Sequence, residues 1–490
     1  MNTYTAITIG PIIKTLSLAR KPRELWSASY LFSYLMKCII DTIPENYDIV
    51  SPAKLSEKIV PVGLYPDRVF VKNLVLTEAQ DIIEKAKIQF ASELKLNNAL
   101  KDYFNIMSVS IEASTDGEAV STLNQKLDVL ELCRIPAKDQ SIQEILDLIK
   151  RKNRSPLFQV AFGKDYFPIE MLSNIASVEL SILKPDEWDN AKDQSNEDDI
   201  FYQLLKEKCK DDFKTYHKYI CVVQADGDNM GSIISRIPKG ELSNLSKDLL
   251  NFGKQTCKLI KIFGGLPIYA GGDDLLFIAP VVGKQSQSII RLLDDIDKNF
   301  ETIRDKVQQF NLQKDGESLF TSMSYGVSIS YYKFPLYEAL ESARNLLFEK
   351  AKKVNGKNAL AWNLQKHSGS SFGGQFSKSD LVFNQFNEVI RTTAKDNLVT
   401  AVAHKIRANK SLLALWKDKE TDHIVLRLNA FYDQTMEFNS KSKAEQGYLT
   451  ATKNLLLELY QIKDIDRITK DMYGMLRTAK FIKGEEDSYE

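Results

Sequence analysis

Two acidic motifs, each closing a short apolar run, constrain this chain more than any other feature. Tyr219–Ala225 ends in Asp226-Gly227-Asp228. Leu266–Ala270 and Leu275–Ala279 are joined by Gly271-Gly272-Asp273-Asp274. Apolar runs of this length, bounded by Gly and acidic residues, read as buried strands. Gly-Gly accepts the positive φ of a tight hairpin, which places Asp273 and Asp274 at a sheet edge. If the strands are neighbours, four carboxylates converge. Like charges that close repel. Hard divalent cations with oxygen ligands are the natural counter-charge, and Mg²⁺ is held by one or two carboxylates together with substrate phosphates.

The pattern assigns roles. Asp226, Gly227, Asp228, Asp273 and Asp274 are candidate ligands for two Mg²⁺ or Mn²⁺ ions, with Asp226, Asp273 and Asp274 as the catalytic carboxylates. Two such ions activate an attacking hydroxyl and stabilise the leaving oxygen of a nucleotidyl transfer. Asp226 and Asp228 are two residues apart and share a face in an extended strand. Asn229, Met230 and Gly231 open a helix whose free N–H groups suit a triphosphate. Gly271 and Gly272 let backbone approach a nucleotide, and Lys352 reaches phosphate oxygens as a point charge. Each motif alone has a plain structural reading: Asp-Gly is a turn dipeptide, and a lysine at a helix C-terminus complements the dipole. Two acidic strand ends within one stretch favour the chemical reading.

Composition bounds the rest. A chain of 490 residues suggests three or four domains. Lys+Arg and Asp+Glu are both 65, so net charge is zero. That excludes nucleic-acid binding by bulk charge and leaves room for local basic patches or for RNA carried by partner subunits. Cys38, Cys133, Cys209, Cys221 and Cys257 form no C-x-x-C pair, which argues against a disulfide framework and a structural zinc. No signal peptide or long apolar run is present, so a cytoplasmic chain without a membrane partner is expected. None of His217, His367, His404 and His423 precedes an Asp, so no His-Asp nuclease motif is visible.

Taken in order, residues 1–115 read strand, helix, strand-turn-strand, helix, strand. The strands are Ala6–Pro11, Arg68–Val71 and Phe104–Ile111, the second helix is Thr77–Leu100, and Pro22 breaks the helical run over 12–43. Lys14, Arg20, Lys21 and Arg23 cluster near that break as a solvated face or a contact. Residues 116–215 read as a helical linker, with Asp186–Asp199 as an exposed acidic loop. Residues 216–365 repeat the first order, which points to an internal duplication of one α/β unit. Gly10-Pro11 stands where Asp226-Gly227 stands, so the first copy is expected to be chemically silent. Residues 366–490 read as helical and end in an acidic tail (Glu485, Glu486, Asp487, Glu490).

These motifs, with Ala351-Lys352 and Gly356-Lys357-Asn358, resemble the palm of the large subunit of type III CRISPR effector complexes. That palm is similar to GGDEF diguanylate cyclases and class III nucleotide cyclases. The start, ITIGPI followed by ARKPRELWSASYL, resembles the degenerate first palm of the III-B (Cmr) branch, and His367-Ser368-Gly369 fits that branch. The resemblance implies an α+β (α/β) chain with two ferredoxin-like, cyclase-type palm domains plus helical domains. The palms would be 1–115 (degenerate) and 216–365 (active); the helical parts would be 116–215 and 366–490. It implies nucleotides held between the palms, and synthesis of a signalling nucleotide from ATP once target RNA binds the complex. The product would be a cyclic oligoadenylate, or AMP joined to S-adenosylmethionine. Partners would be the other effector subunits, with guide RNA and target RNA reached through the complex. Many members begin with an HD nuclease domain; this sequence starts at the first palm, so DNase activity is not expected. Many Cmr members hold a cysteine-bound zinc between the palms, where this chain has only Cys133 and Cys209. A stand-alone cyclase and a catalytically silent scaffold are the alternatives.

Overall fold

The computed structural model describes residues 1–57, 61–96, 103–132, 139–150, 171–194, 197–378, 380–392, 396–460 and 464–484. Two main sheets organise them. The first contains β1 (Asn2–Gly10), β2 (Asp48–Ser51), β3 (Arg68–Lys72) and β4 (Asn105–Ala113), in the order β2-β3-β1-β4. Every neighbouring pair is antiparallel. The second contains β5 (Tyr219–Gly227), β6 (Leu266–Gly271) and β7 (Asp274–Pro280). After a small hairpin, β8 (Gln313–Lys314) and β9 (Glu317–Ser318), it adds β10 (Met323–Tyr331), β11 (Ala359–Gln365) and β12 (Ser371–Ser377). Its order is β12-β11-β10-β5-β7-β6. The block β10-β5-β7-β6 repeats the first sheet: fourth strand, first, third, second. This is the ferredoxin-like α+β arrangement, present twice and joined to helical segments.

Local chemistry explains the helices that frame the sheets. The helical run is broken at Pro22, which starts a new helix, Pro22–Thr42, at a position where its missing N–H is not needed. Residues 22–40 of that helix are buried all round, against the first sheet and β6. The basic cluster near it is only partly a solvated face. Arg23 is buried, and the Arg20 guanidinium lies 4.8 Å from the Tyr337 ring centroid, in the second repeat. The next helix runs Leu76–Leu94 and is closed by Lys95 in the left-handed region; the end expected at Leu100 lies outside the described residues.

Two expectations change. The acidic stretch 186–199 is mostly helical over its described residues. Helix Pro185–Gln194 carries Asp186 and Glu187 in its first turn, where they complement the dipole. It anchors through buried Trp188 and Ala191, and the Trp188 indole N–H donates to Ser177 Oγ at 3.0 Å. β11 and β12 extend the second sheet beyond the repeat. β12 has few apolar residues and two glycines, so no alternation announced it. The remaining C-terminal segment is helical as expected, from Asp380–Arg391 to Ile465–Ile482; the acidic tail lies outside the described residues. No helix among the described residues is long and apolar enough to cross a membrane.

The two repeats pack through the connection between β2 and β3. Where β6 and β7 share a tight turn, this longer connection reaches across to the second sheet. The Ala270 N–H donates to the Gly63 carbonyl at 2.9 Å, beside β6. The Ala53 N–H donates to Ser246 Oγ at 2.8 Å in a buried contact. Lys254 pairs with Glu57 at 2.6 Å.

Candidate functional site

The site forms where β5 ends beside the β6–β7 hairpin. Ala225 pairs with Leu275 across β5 and β7, and Gly271 pairs with Asp274 across the turn. Gly272 has φ +70 and Asp273 does not, the pattern of a type II′ turn with Gly at its first central position. Gly227 is needed for a different reason. A Cβ there would lie 2.6 Å from Asp273 Oδ2, so the bare backbone is what lets Asp273 close onto β5.

Asp226, Asp273 and Asp274 are brought together. Asp226 and Asp274 lie close enough for the charge of one to act on the other. Desolvation, then the charge of Asp226, hold Asp273 up to about 7. The same two causes, with Asp273 added, raise Asp274 well above the usual carboxylate range, although its hairpin-tip position keeps it in contact with solvent. The Asp67 charge, from the first repeat, also raises Asp274.

Lys352 lies inside this cluster. Its Nζ is 2.5 Å from Asp226 Oδ2 and 2.9 Å from Asp228 Oδ1, and it donates to the Asp226 and Gly227 carbonyls at 2.9 and 2.8 Å. Burial lowers the Lys352 affinity for its proton; the Asp226 and Asp228 charges more than offset this and leave it raised. A π-turn, Leu346–Lys350, followed by a short 3₁₀ turn, Ala351–Lys353, delivers the residue. Lys352 is therefore not a free phosphate-binding hand as expected. It occupies a cation's place among hard oxygen donors.

That is the test of metal fit. Among the described residues no group of three or more His, Cys, Asp or Glu is drawn together as a ready cage. The donor types are nevertheless right for Mg²⁺ or Mn²⁺: the ammonium sits on Asp226 and the Gly227 carbonyl, and Asp273 and Asp274 lie close enough to Asp226 to feel its charge.

Asp228 departs from expectation. It does not share a free face with Asp226, because the chain turns after Gly227 and buries it to 1% exposure. Oδ2 accepts from Ser322 Oγ at 2.6 Å and from the Asn358 N–H at 2.9 Å; Ser324 Oγ donates to both oxygens at 2.9 Å. A carboxylate with this many donors ties the end of β5 to β10 and to the start of β11. Ser322, Ser324 and Asn358 were not assigned by sequence reasoning as its partners; alternating serines in a strand carry no signal for them. Asn229 has φ 63, and its side chain is engaged on both sides, donating to the Phe320 carbonyl and accepting from Lys357 Nζ. The helix it opens, Met230–Ile234, has five residues, so its dipole is small. Met230 is buried, while Gly231 faces open space. Cys38, Cys209, Cys221 and Cys257 are buried free thiols, and Cys133 lies outside the described residues.

The expected silence of the first repeat rests on a register that the sheets correct. Gly10 pairs with Asn105 as Gly227 pairs with Met323, each at the start of its partner strand. Ile9 therefore corresponds to Asp226. Thr8 pairs with Arg68 as Ala225 pairs with Leu275, so Asp67 corresponds to Asp274. One carboxylate of the pattern survives in the first repeat.

Known proteins are similar to this chain in sequence and in fold. Residues 219–361 match the family described as Cas10/Cmr2, second palm domain, and residues 4–102 match CRISPR-associated protein Cmr2, N-terminal. The CRISPR system Cmr subunit Cmr2 of Pyrococcus furiosus is 34% identical over 183 residues. That match covers 32% of this chain and 19% of the relative, about a fifth of the relative's length. Among solved structures, a type III-B Cmr-beta complex in its apo state aligns with TM-score 0.54 at 12% identity, over 89% of this chain and 77% of the other. A Csm1–Csm4 cassette in complex with AMPPNP aligns with TM-score 0.52 at 12% identity, over 98% and 69%. These two likenesses concern the fold. The hairpin, the end of β5 and Lys352 all fall within the segment that matches the Cas10/Cmr2 second palm.

Proposed function

We propose that this chain is a palm-type nucleotidyltransferase of a type III-B CRISPR antiviral complex. In this reading target RNA bound to the complex switches on synthesis of a signalling nucleotide from ATP. The product is a cyclic oligoadenylate, or an AMP conjugate of S-adenosylmethionine. The observation that carries the proposal is the convergence of Asp273 and Asp274 on Asp226, whose carboxylate, with the Gly227 carbonyl, already holds a cation in the Lys352 ammonium. Structures of like fold support it: one holds AMPPNP, and another Cmr-beta structure, with TM-score 0.51 at 13% identity, is bound to cognate target RNA.

A hydroxyl attacks the α-phosphorus of ATP, a new P–O bond forms, and pyrophosphate leaves. Bound Mg²⁺ or Mn²⁺ would activate that hydroxyl and neutralise the leaving oxygens. Asp226, Asp273 and Asp274 would hold the ions, with the Gly227 carbonyl beside them. With the carboxylates engaged by an ion, the Lys352 ammonium would be free to contact phosphate oxygens. Asp228 ligates nothing; it fixes the turn that aims Asp226 and Gly227. Gly272 and Gly231 leave room for the nucleotide, Gly271 makes room for the Tyr269 ring instead, and Asn229 and Met230 shape the turn beneath. The palms are 1–115 and 216–365, with helical units 116–215 and 366–490, and the other effector subunits, guide RNA and target RNA are the partners.

The test is chemical. The assembled complex is incubated with ATP, with and without S-adenosylmethionine, and the products are weighed by mass spectrometry. Asp273→Asn with Asp274→Asn should lose product while complex assembly and RNA binding persist. Wild-type synthesis by that variant would sink the assignment.

A further inference from the structure

A cavity of about 910 Å³ lies at the far edge of the second sheet, between β11 and β12, the helix Ile465–Ile482 and residues 407–410. β12 is four strands from β7, so the cavity is roughly 20 Å from the acidic hairpin at ordinary strand spacing. It shares none of the candidate ligands or nucleotide contacts of the site above, and meets that site only through Lys350, at the end of the turn that delivers Lys352. Its composition is unlike that of the chain as a whole. The chain is neutral, yet the cavity is lined by Lys350, Arg407, Lys410, Arg467 and Lys470 against two carboxylates, Asp466 and Asp471. Lys410 pairs with Asp466, and Arg467 Nε lies 3.4 Å from Asp471 Oδ2. The remaining three cations have no carboxylate partner among the described residues.

Two further observations narrow what these charges would meet. The walls present aromatic faces: Tyr473, with the Arg407 guanidinium 5.2 Å from its centroid, and Phe372, with Arg477 at 5.3 Å. Both rings are half-buried, and a guanidinium over a ring marks a face that accepts a flat cationic or π partner. The second observation is Asp471, 3% exposed. Its Oδ1 accepts the Gln375 N–H at 3.3 Å, but its Oδ2 and the facing Arg467 Nε are misaligned and make no hydrogen bond. Buried polar atoms rarely stay unsatisfied. A ligand that brings anionic groups, a planar ring and an N–H or O–H donor answers all three features.

We propose that this cavity is a second nucleotide-binding site. Phosphate lies against Arg407 and Lys470, the base against Phe372 or Tyr473, and a base amino group or ribose hydroxyl donates to Asp471 Oδ2. The shared chemistry is a nucleoside phosphate, supplied either by a free nucleotide or by a single-stranded RNA segment. An acidic peptide offers the charge without the planar ring and is the competing class.

The experiment uses the full chain in EDTA, with labelled decauridylate as the probe and ATP, pyrophosphate and poly-glutamate as competitors. Arg407→Glu with Lys470→Glu, both exposed positions, should weaken decauridylate about tenfold or more. The slope of log affinity against log salt should fall by about 1.4 for the two lost phosphate contacts. Phe372→Leu should weaken decauridylate and ATP but leave competition by pyrophosphate unchanged, a readout independent of the charge variant. ATP displacing the probe assigns the free nucleotide as the source; displacement by unlabelled RNA alone assigns the strand. Unchanged affinity in the charge-reversed variant, or displacement by poly-glutamate as effective as by RNA, would overturn the proposal.

Discussion

The two repeats have the same strand order and differ in what joins the second strand to the third. In the second repeat a two-residue turn, Gly272-Asp273, presents carboxylates at the end of β5. In the first, the connection from Ser51 to Arg68 is long and is spent on packing beside β6. The same topology thus yields one chemical edge and one supporting edge. The supporting repeat is not electrostatically silent, because Asp67 sits at the register position of Asp274 and raises it. Asp226 has no such counterpart: Ile9 stands there, 1% exposed in the core.

The strongest way to break this comparison is to remove acids from each repeat in turn. Asp226→Ala should lower product synthesis about 10³-fold, the loss expected when metal-borne charge stabilisation worth several kcal/mol is removed. Asp67→Asn should stay within about tenfold of wild type, since it removes a neighbouring charge and no assigned ligand. Product is quantified by mass spectrometry under saturating ATP. An equal loss from both variants would mean that the two repeats share the metal site.

Lys352 sharpens the comparison by replacing an ion with a side chain. An ammonium at 2.5 Å from Asp226 must be displaced before a cation can enter. Lys352→Met should therefore raise Mn²⁺ affinity of the nucleotide-free chain about tenfold, while ATP affinity in saturating Mn²⁺ falls by a similar factor. Calorimetry and Mn²⁺ spin resonance read both. Weaker Mn²⁺ binding by the variant would show that the lysine supports the metal instead of standing in for it.

The carboxylates should also be visible in stability. Asp273 is held up to about 7, above its unfolded value near 3.8. The folded state then binds more protons across that window, so its stability falls as pH rises from about 4 to 7 and the penalty is complete above. Asp273→Asn with Asp274→Asn should remove that slope. In EDTA at pH 8 the variant should be more stable by about 1 to 3 kcal/mol, a range discounted for solvent screening at exposed Asp274. Urea titrations at pH 5 and pH 8 test it; a variant less stable at pH 8 would mean that the cluster is compensated within the apo fold.

How far the sequence discloses this arrangement depends on which interactions are local. The strand ends, the hairpin turn and the convergence of Asp226, Asp273 and Asp274 follow from short-range pattern, because apolar runs and Gly-Asp turns act within a few residues. Two things are not local. The register between β1 and β4 decides that Ile9, not Gly10, answers Asp226, and the order of motifs along the chain does not carry that register. The burial of Asp228 depends on Ser322, Ser324 and Asn358, which are remote from it in sequence and unremarkable in type. β12 escaped for a related reason. Its stability comes from packing against the C-terminal helix through small residues, with Gly373 and Gly474 in close approach, and not from alternation.

The smallest effects belong to the seam between the repeats, where two contacts of unequal worth lie close together. The Lys254–Glu57 pair is well exposed, at 28% and 46% for the two side chains. Such pairs contribute about 0 to 1 kcal/mol. The Ala53 N–H that donates to Ser246 Oγ is buried, and without the hydroxyl it has no acceptor there. Leaving a buried donor unpaired costs about 1 to 3 kcal/mol. Ser246→Ala should therefore lower the urea unfolding free energy by about 1 kcal/mol or more, and Lys254→Ala by about 0.5 kcal/mol or less. High salt should erase the second difference and leave the first. If Lys254→Ala proves the costlier change, the long connection is held to the second sheet by charge, and the view of the first repeat as a hydrogen-bonded buttress fails.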